Sequence, residues 1–389
     1  MSIDTIVYEA KNAATRIALL GGGDLEELEI VEENRALEGN IYLGKVTRKI
    51  ELANGKQGFF IELGEGREAF LNAEEYGLDE LNICEGQSLV VQVAQEKRAE
   101  KGPKVTRALQ FVGENLVYCP YRMNIEVSSK ITDKDKAHDY RELVLENTTG
   151  QEGWIIRTSA VNEPKETIVK EMAYLRSLFD TARVNARNFK APALLLAKAN
   201  PIFDYINKYK NELNKVVLNN RNVEAEIKER FGDEINTEIT AEPFKEFGLE
   251  DAIVEALSPN VNLKSGGRIT IQETKALVAI DVDSGCDKGN GSIARLNIEA
   301  AVEIAKQIRL RNLSGKIIID FAGSSDFHFL KPVIEVLEKE VAKDYTKTTV
   351  LGSSRAGNVE VIRVRKRPTL LDLLSKECDC CQGSGRVMR

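Results

Sequence analysis

The sequence predicts a mixed α+β chain with more than one domain, and three observations support this. Residues 38–113 carry short alternating strands divided by glycine turns, the pattern of a small closed barrel. From Gly266 onward an apolar strand through Asp281, an amphipathic helix and an apolar strand ending in Asp320 form a strand–helix–strand unit. The length, 389 residues, exceeds a typical single domain.

Residues 5–34 have the pattern of short strands around a turn at Gly21-Gly22-Gly23. That glycine run lacks the Gly-Lys-Ser/Thr of a phosphate loop, so it is expected to be a hairpin turn. In the barrel segment, strands are expected at Ile41 to Ile50, Gly58 to Glu62 and Ser88 to Gln95, with turns at Asn54-Gly55 and Gly64-Glu65-Gly66. This spacing suits an OB-fold. Gly153 to Thr158 predicts a buried strand, Lys165 to Ala186 a helix entered after Pro164, and Ala191 to Leu196 another strand. Polar helices and short strands alternate from Pro201 to Glu238. Further on, strands are expected at Arg268 to Glu273, Lys275 to Asp283 and Lys316 to Phe321, with a helix over Ile293 to Arg311.

The net charge of -7 excludes a globally basic nucleic-acid binder, although averages hide patches. From Val341 to Arg389 ten Lys or Arg face five Asp or Glu, a local balance of +5. There are only two histidines, His138 and His328, in no recognisable catalytic setting. Mechanisms built on a histidine pair or a Ser-His-Asp triad are thereby disfavoured, and attention moves to carboxylates and metal. No apolar run is long enough to span a membrane, and the N-terminus lacks a secretory pattern, so a cytoplasmic protein is expected. Of six cysteines, Cys84, Cys119 and Cys286 are scattered, whereas Cys378, Cys380 and Cys381 cluster. In a cytosolic protein such a cluster suggests metal before disulfide.

A right-handed crossover makes the two acidic strands parallel and brings their carboxyl ends together. Ligands of open α/β sheets gather there. Two carboxylates at one place repel unless a cation joins them. Magnesium suits the pair, because it takes carboxylate oxygens and keeps water and phosphate as its other ligands. Asp283 and Asp287 are candidates for supporting roles, and Arg309 and Arg311 for phosphate contact. Acidic strand ends also occur without any ligand, so spacing alone leaves both readings open.

These residues resemble a known family. Gly266-Gly267-Arg268-Ile269, Ala279 to Gly285, Leu296 to Ala301, Arg309 to Gly315 and Ile318-Ile319-Asp320-Phe321 are similar, in order, to the catalytic core of the ribonuclease E/G family. The resemblance implies an endoribonuclease that cuts single-stranded RNA by water attack, leaving 5′-phosphate and 3′-hydroxyl ends. Asp281 and Asp320 would hold the catalytic Mg2+. The expected substrates are rRNA and tRNA precursors and mRNA. The sequence departs from the family at Asp283, usually asparagine there, and at Gly323, usually acidic.

Phe60 and Phe70 match the two aromatics of the family's S1-type RNA-binding domain, with Lys101 as a basic partner. Bases stack on such rings without strong sequence choice. Arg157-Thr158 resembles the family's pocket for a 5′-monophosphate. Arg355, Glu360, Arg363 and Arg365 follow the family spacing, and the resemblance implies phosphate positioning by Arg355 and Arg363. Cys378-x-x-Cys381 resembles the family's zinc-link. Structural zinc takes four ligands, so one motif from each of two chains would share Zn2+ in a homodimer. Asp379 stands where the family usually has proline, and Cys380 is an extra thiol.

The implied architecture is an RNase H-like and 5′-phosphate-sensing region at 1–37 and 114–260, an S1-type OB barrel at 38–113, a DNase I-like catalytic region at 261–375 and a zinc-link at 376–389. The short form is expected to lack the family's C-terminal small and degradosome scaffold domains. A non-catalytic RNA-binding protein of the same fold is the alternative.

Overall fold

The computed structural model describes residues 3–12, 14–32, 35–53, 55–72, 83–97, 102–285, 290–323, 327–381, 383 and 385. Lys101, Cys286, Asp287 and the side chain of His328 lie outside the described residues. The chain folds into two compact units, Met1–Asn34 with Asn200–Arg389, and Arg35–Ala199.

The first unit contains two sheets. One has five strands in the order Thr237–Ile239, Lys215–Leu218, Thr5–Lys11, Ala14–Gly21 and Asp24–Glu32. Its last three strands form an antiparallel meander, and the first two run parallel to Thr5–Lys11. The other sheet has six strands in the order Asn260–Asn262, Arg268–Glu273, Val278–Asp283, Gly315–Asp320, Val359–Arg363 and Thr348–Ser353. Helices Asn290–Leu310 and Phe327–Val341 bury their apolar stripes on one face of this sheet, against Ile269, Ile271, Val278, Ile280, Ile317 and Ile319. The strand Val278–Asp283 alternates strictly, with Val278, Ile280 and Val282 buried and Asp281 and Asp283 exposed. One face therefore packs on helices and the other carries the acidic residues.

In the second unit, five strands close into an OB-like barrel: Ile41–Glu51, Gln57–Glu62, Ala69–Asn72, Lys104–Thr106 and Ser88–Gln95. Ile41 to Lys45 pair with Ser88 to Gln92 to complete the ring. Closure leaves no free edges among these strands, which is how an isolated small sheet avoids unpaired backbone. Gly58 is required where it stands, since a Cβ there would lie 2.8 Å from the Phe70 ring.

The segment 114–199 packs with the barrel, although the sequence expectation grouped 114–260 with 1–37. The reason is a shared core. Ile41 and Leu43 of the barrel bury with Phe111, Leu116, Tyr118, Trp154 and Leu195. The strand Ala193–Leu196 also extends the barrel sheet beside Ile41–Glu51. Helix Lys165–Asn188 begins directly after Pro164 and runs 24 residues. Helix Lys134–Glu146 is capped by the Asp133 side chain, which accepts from two backbone N–H groups. Among the described residues no helix is long and apolar enough to cross a membrane.

Ile319 is fully buried between the acidic strand and its helices. Ile319→Ala is expected to cost about 2–5 kcal/mol of stability. Urea unfolding followed by circular dichroism would measure it.

Candidate active site

The strands Val278–Asp283 and Gly315–Asp320 pair in parallel, and their register sets Asp281 opposite Asp320. Neighbouring strands run about 4.8 Å apart, and paired residues point to one face. Both aspartates are exposed on the face away from the helices. Thr270 lies opposite Asp281 on the other side, and its Oγ1 donates to Asn260 Oδ1 at 3.2 Å.

Asp283 shares the face but is otherwise engaged. Arg268 lies 3.5 Å from it, and its Oδ1 accepts the Gly285 N–H at 3.0 Å. Among the described residues no three His, Cys, Asp or Glu side chains converge to hold a metal. Asp281 and Asp320 thus form a two-carboxylate pair, with Asp283 beside them in an ion pair with Arg268. Two carboxylates fit Mg2+, which usually takes one or two from the protein and completes its shell with water and phosphate.

The loops around the pair are tied to the long helix. Asn297 Nδ2 donates to Ala322 O at 2.9 Å, just past Asp320. Glu299 Oε1 accepts the Lys264 N–H at 2.7 Å, before the Gly266-Gly267 turn. Gly267 lets these pieces meet, since a Cβ there would lie 2.4 Å from Leu296. Sequence reasoning did not assign Asn297 and Glu299 these roles, because their partners lie 25 and 35 residues away.

Arg355 is exposed in the turn after Thr348–Ser353. Ser353 pairs with Val359 and Val359 with Ile319, so that turn sits at the Asp320 end of the sheet.

Three expected RNA contacts are corrected. Arg363 pairs with Gly315, five residues and roughly 17 Å along the strand from Asp320. It is buried, with Nε donating to Asp344 at 2.7 Å and Nη1 to Asn312 Oδ1 at 2.6 Å. Arg309 is buried beside Glu26, at 3.6 Å, and donates to Glu340 O. Arg311 donates to Gln307 and to Ser258 O, each at 2.6 Å. The helix starts near the acidic pair and runs about 30 Å away from it, so its last residues are remote from the site. These three guanidinium groups hold the fold.

In the barrel, Phe60 and Phe70 lie opposite each other on paired strands, half-buried, with ring centroids 5.7 Å apart. Arg48 stacks over Phe60 at 4.3 Å, a partner the sequence reading missed. Lys104 stands beside Phe70 in the strand register. The expected partner Lys101 lies outside the described residues. Arg157 follows the strand Gly153–Ile156 and donates from Nη1 to Gly113 O, while Thr158 is exposed beside it.

Cys378 is exposed. Hydrogen bonds from the backbone N–H groups of Cys381 and Cys380, and from the Cys381 thiol, favour its thiolate and hold its pKa below the ordinary thiol value. Two adjacent thiols in such a turn fit half of a four-ligand zinc site. Cys380 does not join them in a three-ligand group among the described residues.

Residues 110–366 match the ribonuclease E/G family, a span that includes both aspartates. Ribonuclease G of Haemophilus influenzae is 32% identical to this chain, covering 96% of the chain and 82% of the relative. Ribonuclease G of Escherichia coli is 31% identical over the same shares. Ribonuclease E of Escherichia coli is 28% identical over 98% of this chain but 38% of its own length. The fold and the acidic sheet face are those of an α+β protein with an OB-like barrel. The chain belongs to the ribonuclease E/G family.

Removing one partner of a buried ion pair strands the other charge. Arg363→Ala is therefore expected to lose about 3–5 kcal/mol of stability, whereas Arg355→Ala stays within about 0.5 kcal/mol of the parent. Chemical denaturation of both variants would check the contrast.

Proposed function

We propose that the chain is a magnesium-dependent endoribonuclease that hydrolyses single-stranded RNA to 5′-phosphate and 3′-hydroxyl products, in rRNA and tRNA precursor processing and mRNA decay in the cytoplasm. Membership of the ribonuclease E/G family supports the endoribonuclease activity. The observation that carries the metal-dependent reading is the paired register of Asp281 and Asp320 on an open sheet face.

When bound there, Mg2+ would polarise the phosphodiester and lower the pKa of an attacking water. Asp281 and Asp320 would hold it from paired positions on adjacent strands. Arg268 lies 3.5 Å from Asp283 beside the pair and offsets part of the extra charge that the departure from asparagine brings. Asn297 fixes the loop after Asp320, and Arg355 offers a cation for RNA phosphate at the same end of the sheet. Phe60 and Phe70, with Arg48, offer a stacking platform for unpaired bases. Arg157 and Thr158 would take a 5′-monophosphate, and Cys378 and Cys381 half of a Zn2+ shared in a homodimer. The S1-type, RNase H-like, DNase I-like and zinc-link descriptions belong to this same reading.

With a 5′-monophosphorylated AU-rich RNA, internal cuts are expected with Mg2+ and none with chelator. Asp281→Asn and Asp320→Asn are each expected to slow cutting by about 100-fold or more, since the metal supplies several kcal/mol and each 1.36 kcal/mol is tenfold. Binding without cuts, unchanged in either variant, would leave a non-catalytic RNA-binding protein instead.

The zinc reading predicts about one zinc per two chains, because each chain supplies two of four ligands. Cys378→Ser is expected to lose that zinc and convert dimer to monomer. Elemental analysis and light scattering would read both.

A further inference from the structure

We infer that the second unit carries an additional RNA contact, a pocket for one nucleobase between the second half of helix Lys165–Asn188 and the segment around Tyr121. This rests on the reading of the chain as one that acts on single-stranded RNA, and adds a second place where it grips that strand.

The pocket has a volume of about 200 Å³. That is below the roughly 300–1,000 Å³ of a pocket for a whole drug-sized ligand, so it suits a single ring system. Its floor is apolar, made by Val90, Leu109 and Ala182. One side is aromatic, made by two rings packed on each other. Tyr121 and Phe179 stand edge to face, with centroids 5.8 Å apart and planes at 88°. Phe179 is held from behind by Phe111 at 5.8 Å and Tyr118 at 6.0 Å, so it is a rigid wall. Tyr121 is 61% exposed, so one side of its ring is open to solvent.

The mouth is cationic. Arg183 lies over the Phe179 ring at 5.5 Å and pairs with Asp180 of its own helix at 3.3 Å. Arg187 lines the pocket one turn further on, and among the described residues it has no salt-bridge partner. From Thr181 to Lys198 the sequence carries four cations, Arg183, Arg187, Lys190 and Lys198, and no acid. In a chain of net charge -7 that is a local reversal of sign.

A small apolar pocket with one aromatic side and arginines at its mouth matches a flat ring joined to a negative charge. A nucleotide of a single strand has that chemistry, with the base in the slot and its phosphate against the arginines. An apolar peptide would fill the slot but leave the cations unanswered.

The test measures binding by fluorescence anisotropy on the full chain carrying Asp281→Asn and Asp320→Asn, so that no cutting occurs. The probe is a labelled single-stranded RNA 12-mer with a 5′-hydroxyl end, which leaves any 5′-phosphate site out of play. Tyr121→Ala is expected to weaken binding by about five-fold or more, as loss of one stacked base does. Tyr121→Trp is expected to retain it. Arg187→Glu is expected to weaken binding and to reduce the slope of log Kd against log salt by about 0.7, the value for one phosphate contact on a single strand. Phe60→Ala runs as a control in the barrel.

If Phe60→Ala weakens binding while Tyr121→Ala and Arg187→Glu stay within two-fold of the parent, the pocket proposal is overturned and the RNA reading stands. If the 12-mer does not bind even the parent, both fail together. A protein occupant would show as the former result.

Discussion

Ile280 and Ile319 are almost completely buried under two helices, and their neighbours along each strand follow from that. Strand side chains alternate, so burying Val278, Ile280 and Val282 sends Asp281 and Asp283 to the open face. The same rule applied to Ile317 and Ile319 sends Asp320 there. The magnitudes favour this arrangement. Each buried aliphatic side chain contributes about 1.5–3 kcal/mol. Two carboxylates about 4 Å apart repel by roughly 1 kcal/mol in water, and by about 4 at the effective dielectric near a protein surface. Five buried side chains outweigh one repulsive pair. The acidic pair is thus imposed by packing, and its residual repulsion is of the kind a divalent cation would relieve. A slip of one residue would bury both aspartates and expose the isoleucines, so the register is strongly specified.

The arginines divide by position along the same unit. At the strand ends near Asp320 lie Arg268 and Arg355, both exposed. At the far end lie Arg309, Arg311 and Arg363, all buried and bonded to the protein's own oxygens. A desolvated guanidinium needs such partners, and carbonyls with carboxylates such as Asp344 provide them. Arginines that follow an acidic strand in sequence lie far from it in space, because the intervening helix carries the chain from one end of the sheet to the other.

The second unit shows how a chain of negative net charge presents a surface suited to an anion. Phe60 and Phe70 occupy an outward barrel position with Arg48 above them. The helix Lys165–Asn188 ends in a run that has no acid from Thr181 onward. Both places combine rings with guanidinium groups, the pairing of stacking surface and local positive charge. The -7 total reports only the average.

Most secondary structure was legible, since period-two and period-3.6 patterns respond to local burial. The strands at Arg268–Glu273 and Gly315–Asp320 and the helix Asn290–Leu310 fall close to where the pattern puts them. The strand expected from Lys275 starts later, because Thr274 Oγ1 accepts the Ala276 and Leu277 N–H groups and closes a turn. The grouping of 114–199 with the barrel was not legible, since it depends on Ile41 and Leu43 sharing a core with Trp154 more than 100 residues away. Nor were Asn297 and Glu299, whose hydrogen bonds cross the fold. By itself the sequence determined which residues alternate, where turns break the strands, and that two aspartates close two apolar strands. Only the tertiary structure decided which cations are buried, which loops the long helix holds and which side chains share a pocket, because long-range packing has no period along the chain.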